Sequence, residues 1–567
     1  MTEPGREPGQ SPEDGYSPRL LPRFLLKAGS LSGSMGVYLP AMVFHKTLGL
    51  VRALLFAHFI SLGENGLWGL GLTIFSVLAP LVCLGSNHGL ARYVSFYEAR
   101  GALRRFLARA RWAVLACCLV LGLVALAAAG PISRLVIAPC KEAEGIDLGR
   151  QLALCQAAIA NAFLLALYYN LLAFLGGMRL YRLISAIEIL FSVLFVALGC
   201  SVLAAGGGAM ALLLAHLAAV GLALATGTAM LHVAVRRTTV GQGAAPDPII
   251  SAPIHPQSAA ILDVAADTEP ALVAAPSALA TAKRSEAGPA LAGRGGPLQI
   301  VRFGLLSLLA GELWVVANRL SFFLTSRAYG VEQGGVFDLF CRLGEPVAFL
   351  SAAAWTVVYG HVARRWEDGK REEAVFNLET AYKAVAAGTM TLAVVVLAAA
   401  PLWLRVLDPR WRPGAAFLPG LLLFFQMVGN LGLLSMAAWL LERPAIALLP
   451  PAAGIAANWL LAACWMPLYG AEGAAWAAGA GMAVGGGLSA VLCLSLARMK
   501  LSAGTYLLLL SPVILGLAPL AWWAPPAAWA VVLIAALATG WVFDRNQKAL
   551  LWATARRILS ALHRRPS

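Results

Sequence analysis

Fourteen apolar stretches, typically 20 to 27 residues long, follow one another along this chain and leave it few ways to fold. They lie near residues 30–60, 67–90, 112–130, 151–176, 183–205, 209–234, 303–327, 336–359, 384–403, 414–441, 444–466, 473–496, 504–523 and 527–543. A helix of roughly 20 residues covers the about 30 Å of hydrocarbon in a bilayer. Inside that layer each backbone amide must find its partner within the protein, so helices or a closed barrel are the available solutions. Period-two alternation does not dominate these stretches, which argues against a barrel. The chain is 60% hydrophobic and 13% charged, where a soluble domain carries about a quarter charged residues. The sequence therefore specifies an all-α polytopic membrane protein with about 14 transmembrane helices.

Residues 1–27 are polar, carry Pro4, Pro8, Pro12 and Pro18, and lack the basic-then-apolar order of a cleaved signal. The first span is thus expected to anchor the protein behind a disordered N-terminus. Residues 238–298, rich in Ala, Pro, Gly and Ser, read as a second disordered segment, a linker between two halves. The expected organisation is an N-lobe over 28–237 with spans one to six and a C-lobe over 299–500 with spans seven to twelve. Two extra spans over 501–545 and a basic tail over 546–567 complete it.

Lys and Arg are retained on the cytoplasmic side of short loops. With both termini inside, 32 of the 43 fall in cytoplasmic segments, 7 outside and 4 within spans, which sets the expected orientation in a bacterial inner membrane. The same topology accounts for the net charge of +15, so nucleic acid is not an expected partner.

The two halves resemble each other. Span one leads into Gly63-Glu64-Asn65-Gly66-Leu67-Trp68, and span seven into Val331-Glu332-Gln333-Gly334-Gly335-Val336-Phe337. The spans that follow run into Phe96-Tyr97-Glu98-Ala99-Arg100-Gly101 and Arg365-Trp366-Glu367-Asp368-Gly369-Lys370. Turn and loop recur in the same order with the same sidedness, as in a parallel repeat of two six-helix lobes.

Four basic residues lie inside spans: Lys46, Arg52, Arg319 and Arg342. At the centre of a span each costs at least about 2.5–3.5 kcal/mol, so such residues face a bundle interior or a wet cavity. Lys46 and Arg52 stand about 120° apart on a helix with Gly49 between them, which makes one broad cationic face. A diphosphate suits such a face, because guanidinium groups bind phosphate oxygens in bidentate fashion. The other role open to Arg319 and Arg342 is structural pairing on their own helices. Asp338, Arg342 and Glu345 are spaced i, i+4, i+7, and Glu312 lies seven residues before Arg319. For Lys46 and Arg52 the other role is snorkelling to the membrane interface. Glu312, Asp338 and Glu345 are also candidate proton or sodium sites. His45, His58 and His216 read as packed or weakly polar.

The run Lys46-x-x-Gly49-x-x-Arg52, the Phe59-Ile60-Ser61-Leu62-Gly63-Glu64-Asn65-Gly66-Leu67-Trp68-Gly69-Leu70 turn and the Gly85-Ser86-Asn87-His88-Gly89-Leu90-Ala91-Arg92-Tyr93 stretch together resemble the opening of polysaccharide-unit flippases. These belong to the multidrug/oligosaccharidyl-lipid/polysaccharide (MOP) exporter superfamily, with Wzx-type and lipid II flippases among its members. The resemblance runs over spans one to twelve and is a spacing pattern. It implies two MATE-like six-helix lobes, and it gives Lys46, Arg52 and Arg342, the last within Cys341-Arg342-Leu343-Gly344-Glu345-Pro346, the role of lining a central cavity. Lys46 stands where the lipid II branch has Arg, and span two lacks a basic partner, Arg92 lying at its end. That departure favours a polyprenyl-diphosphate saccharide other than lipid II.

The function implied is a flippase that carries a polyprenyl-diphosphate-linked oligosaccharide to the outer leaflet by alternating access. No cofactor is expected. Coupling would come from the membrane potential, H⁺ or Na⁺, and no Gly-x-x-x-x-Gly-Lys-Ser/Thr phosphate cradle for ATP occurs. Membrane lipids and a polysaccharide polymerase or glycosyltransferases are the further partners implied. Two other readings stay open. A MATE-like multidrug exporter would share the fold, although a cationic cavity repels cationic drugs. A membrane glycosyltransferase or O-antigen ligase would use the same lipids, but the longest outward loop, near 131–150, is short for a catalytic domain. The nine cysteines form no metal or disulfide pattern.

Overall fold

The computed structural model describes residues 31–84, 103–140, 147–178, 180–240, 297–367, 369–434, 445–496 and 498–552, with 86, 94, 438 and 556 as single residues between or beyond them. The N-terminal segment 1–27, all of the linker except its ends, most of the basic tail, and Arg92 and the Phe96–Gly101 loop of the repeat lie outside the described residues.

All fourteen expected spans have a helical counterpart. In the N-lobe these are α1 (Leu31–Phe59), α2 (Leu62–Cys83), α3 (Leu103–Ala127), the short α4 (Ala129–Val136), α5 (Leu148–Gly177), α6 (Tyr181–Ala204) and α7 (Ala209–Val240). The C-lobe comprises α8 (Pro297–Tyr329), α9 (Val331–Glu367), α10 (Arg371–Ala398), the short α11 (Ala400–Val406), α12 (Leu418–Leu434) and α13 (Leu449–Leu496). Among the described residues, nine helices are long and apolar enough to cross a membrane. The chain is a multi-pass membrane protein.

Local chemistry explains several boundaries. Ser61 caps α2, its hydroxyl accepting from the Glu64 amide at 3.2 Å, and Asp147 caps α5 by accepting from the Gly149 amide at 3.1 Å. The α13 run is two helices. Gly470 breaks it at φ 62°, a conformation costly for any side chain, and Pro467 removes a backbone donor just before it. Span thirteen is less regular than its hydropathy implies. The helix α14 (Ala503–Leu510) tightens into a 3-10 segment, Ser511–Leu517, where Pro512 cannot donate to the α-ladder. The loop near 131–150, expected to face outward, holds most of α4, which its short apolar sequence did not announce.

The last helices are fastened to α10 by buried polar groups. Glu379 accepts from the Ser502 amide at 2.8 Å and the Thr505 hydroxyl at 2.5 Å. Lys383 lies 3.4 Å from the same carboxylate and donates to Gln547 Oε1 at 3.1 Å. From α15 (Ala524–Ala538), Trp529 Nε1 donates to Thr391 Oγ1 at 3.0 Å.

The lobes meet where the repeated turns face each other. Asn65 Nδ2, from the first turn of α2, donates to the Gly335 carbonyl at 2.7 Å. A Cβ at Gly66 would overlap the Val331 carbonyl oxygen, and one at Gly335 the Leu62 carbonyl oxygen. The two glycines thus permit backbone contact between α2 and α9, as small residues do where membrane helices cross closely. The 3-10 segment Pro409–Phe417 reinforces the same end of the bundle: Trp411 Nε1 donates to the Ala57 carbonyl at 3.0 Å and Arg410 to it at 3.2 Å. We call this the turn end; the opposite, linker end carries the close of α7 and the start of α8. Gly66→Ala is expected to destabilise the protein by about 1–3 kcal/mol through overpacking. Gly49→Ala, whose Cβ meets nothing within 4 Å, should leave stability unchanged. Thermal midpoints of the two variants in detergent check the contrast.

Candidate functional site

A cavity of about 380 Å³ lies between the lobes, lined by α1, α2, α5, α6 and α7 of the N-lobe and by α9 of the C-lobe. Lys46, Arg52 and Arg342 all face it. Gly49 lines it between the two α1 cations, with open space where a side chain would stand.

The cations differ in how their charge is met. On α9, Arg342 lies one turn past Asp338 and grips its Oδ2 with Nε at 2.8 Å and Nη2 at 2.6 Å. The other oxygen, Oδ1, accepts from Arg319 Nη1 of α8 at 3.0 Å. Asp338 is fully buried and shared by two guanidinium groups, so this triad carries a net positive charge. Arg319 Nη2 also stands 4.0 Å from Glu345. Arg342 keeps its cavity face and lies 5.8 Å from the Trp68 ring centroid.

Arg52 and Lys46 rely on rings. The Arg52 guanidinium sits 4.6 Å from the Phe195 centroid and Lys46 Nζ 5.0 Å from that of Phe349, contacts worth about 0.5–2 kcal/mol each. Among the described residues neither forms an ion pair within 4.0 Å, and the buried Arg52 Nε has no hydrogen-bond partner. A buried charged donor left so is costly, and its natural complement is an anionic acceptor. Snorkelling does not describe Arg52, whose head packs inside the bundle.

Placement thus divides the seven site residues picked out from sequence. Lys46, Arg52, Arg342 and Glu345 line the cavity together. Arg319 does not line it and serves instead as the second counter-ion of Asp338, a partner on α9 rather than Glu312 on its own helix. Asp338, a candidate ion-coupling carboxylate from sequence, has both oxygens occupied by guanidinium donors. Glu312 is buried away from the cavity lining, and neither of its carboxylate oxygens has a hydrogen-bond partner among the described residues.

Two of the three histidines are packed, each differently. His216 stacks on Phe75 at 4.9 Å between centroids, meets Phe195 edge-on at 4.8 Å, and has its Nδ1 2.7 Å from Asn161 Oδ1. His45 Nδ1 lies 2.5 Å from Ser192 Oγ and 3.2 Å from the Glu188 carbonyl oxygen, tying α1 to α6. His58 is exposed beside Phe59.

Sequence reasoning missed the remaining polar lining: Ser76, Tyr168, Tyr169, Glu188 and Ser192. Glu188 carried a usable signal, since it is an acid well inside the fifth span. The tyrosines carried none, because a Tyr-Tyr pair in an apolar helix equally suits an interfacial belt.

No family model matches the chain, and no curated protein matches it in sequence. Solved structures do. The chain aligns with the lipid II flippase MurJ in an inward closed conformation at TM-score 0.58 and 12% identity, over 88% of this chain and 99% of that one. An inward-facing multidrug resistance MATE family transporter of the MOP superfamily aligns at TM-score 0.54 and 16% identity, over 82% and 95%. A point mutant of the Vibrio cholerae MATE transporter VcmN aligns at 0.50 and 17%, over 84% and 98%. The fold is that of the MOP transporters.

Removing Asp338 would strand two guanidinium groups at once. Asp338→Ala is expected to destabilise the protein by about 3–5 kcal/mol, the usual consequence of leaving a buried charge unpaired. Arg319→Ala should cost less, because Arg342 still holds the carboxylate through two N–H groups. The order of the two thermal midpoints tests this division.

Proposed function

We propose that this protein is a flippase, carrying a polyprenyl-diphosphate-linked saccharide from the cytoplasmic to the outer leaflet by alternating access. The observation that carries the proposal is the convergence of Lys46, Arg52 and Arg342 on one cavity at the lobe boundary, with neither Arg52 nor Lys46 in an ion pair within 4.0 Å among the described residues. Two phosphate groups offer these cations what the surrounding rings cannot, a set of charged acceptors. The polyprenyl tail stays in lipid at the seam between α1 and α9, so only the headgroup has to enter the cavity.

The MurJ neighbour, a lipid II flippase, supports a lipid-linked substrate. The lysine at position 46 and the saccharide-unit resemblance favour a glycan other than that of lipid II. The distribution of Lys and Arg favours the linker end as cytoplasmic, which makes the contacts at the turn end an outer gate. In this reading the inward-open state loads, the lobes rock, and the outer gate parts for release. Outward movement of each net negative charge gains about 2.3 kcal/mol per 100 mV of inside-negative potential, less whatever charge the empty carrier returns. Glu312, buried and without a hydrogen-bond partner among the described residues, is a carboxylate free to exchange H⁺ or Na⁺ through the cycle. A polysaccharide polymerase or glycosyltransferase would act before or after it.

Reconstitution with a fluorescent polyprenyl-diphosphate saccharide tests the proposal. Arg52→Ala and Lys46→Ala should each weaken binding by about 1.5–3 kcal/mol, on the order of tenfold or more. Lys46→Arg should retain most of the activity. Unchanged transport by both alanine variants would remove the phosphate role. Export of small amphiphilic drugs, with no lipid transport by the wild type, would move the assignment to a multidrug exporter.

A further inference from the structure

The cavity holds more than a phosphate needs. Its cations stand on α1 and α9, helices of opposite lobes that touch at the seam. The wall behind them, deeper in the N-lobe, comes from α5 and α6 and presents Tyr168, Tyr169, Glu188 and Ser192. Glu188 is the odd member of this set. Among the described residues its carboxylate enters no ion pair within 4.0 Å and accepts no hydrogen bond, and it faces the same chamber as three cations. A carboxylate beside a diphosphate opposes it; the charge of Lys46 bears on Glu188 and offsets part of that cost, and a ligand group that donates would meet the rest. A carboxylate has about four lone-pair sites and accepts readily from neighbouring hydroxyl or amide N–H groups. Tyrosine supplies a broad apolar face and a polar edge, a match for a ring with C–H faces and a hydroxyl rim.

The backbone holds this wall in place. His45 joins α1 to α6 through the Glu188 carbonyl and Ser192, so the level of Glu188 is pinned to that of Lys46, the next residue on α1. Arg52 lies six residues further, about 9 Å along the helix, beside Phe195. The chamber therefore has a guanidinium layer toward the turn end and a mixed layer of ammonium, carboxylate and phenol toward the linker end.

We propose that Tyr169 and Glu188 form a saccharide subsite, in which Glu188 accepts hydrogen bonds from hydroxyl or acetamido groups of the first sugar and Tyr169 packs against its ring. The inference rests on the flippase reading and adds to it the part of the site that recognises the glycan. The chemical order of the ligand, tail then diphosphate then sugar, matches the order of the protein from seam to cations to tyrosine–glutamate wall. The sugars favoured are those with adjacent donors near the diphosphate, an N-acetylhexosamine foremost.

The test uses the purified full chain and two probes, a polyprenyl diphosphate and the same lipid carrying one N-acetylhexosamine, with binding followed by intrinsic tryptophan fluorescence. The wild type should bind the sugar-bearing lipid about tenfold more tightly than the bare one, the gain of one or two well-made hydrogen bonds. Glu188→Gln should abolish that preference without weakening the bare lipid, which loses a like charge beside its diphosphate; Tyr169→Leu should abolish it too, and Tyr169→Phe should keep most of it. Arg52→Ala should weaken both lipids to the same degree. Equal weakening of both lipids by Glu188→Gln, or no effect on either, overturns the subsite. So does a Glu188→Gln effect that appears only as an altered Na⁺ or pH dependence of transport, which would mark Glu188 as an ion site. Equal wild-type affinity for the two lipids defeats the subsite alone, whereas failure to bind either defeats the flippase assignment with it.

Discussion

A positive charge within the thickness of a bilayer must be met by something, and the way this chain meets four of them organises the rest of the molecule. Arg319 and Arg342 converge on one buried carboxylate, so a single acid on α9 ties that helix to α8, and Glu345 at 4.0 Å from Arg319 balances the second guanidinium. Arg52 and Lys46 are held over aromatic faces instead, an arrangement that orients a cation without neutralising it. The first solution fixes a scaffold. The second keeps charge available to whatever occupies the chamber, and that difference separates the two functions that the same residue types serve here.

Most of the fold was legible in the sequence because its strongest constraint is one-dimensional. Each crossing needs a continuous apolar run, and the runs mapped onto helices; the bounds differ most where polar ends extend a helix beyond its apolar part, as Arg371–Lys383 does at the start of α10. Irregularity was harder to see. The α14 segment satisfies the hydropathy of a span yet does not remain α-helical, because Pro512 acts on hydrogen bonding that hydropathy does not measure. The site was half legible. Charges inside spans stood out, and three of the four cations line one chamber, but which acid would claim which guanidinium depended on the packing of α8 against α9. Spacing within one helix had suggested Glu312 for Arg319; the nearer carboxylate in space is Asp338.

The likeness of the two turns has a physical meaning in the fold. These Gly-containing turns, separated by some 270 residues, come face to face, and each lacks the side chain that would hold the other off. A contact made of backbone and small residues depends on shape and on short hydrogen bonds more than on buried apolar area. Such a contact closes fully or gives way, which suits a joint between bodies that move as units. The C-terminal helices do not span this joint: Glu379 and Lys383 fasten them to α10, so they belong to one body only.

The ownership of the cations by lobe completes the picture. Arg342 is anchored by Asp338 within the C-lobe, while Lys46 and Arg52 are built into α1 of the N-lobe. Attraction for an anion is therefore a shared property, strongest when the halves are together and divided when they separate. Under the proposed alternating access, the displacement that lets an anionic cargo leave would also dismantle the electrostatic grip that had kept it in place.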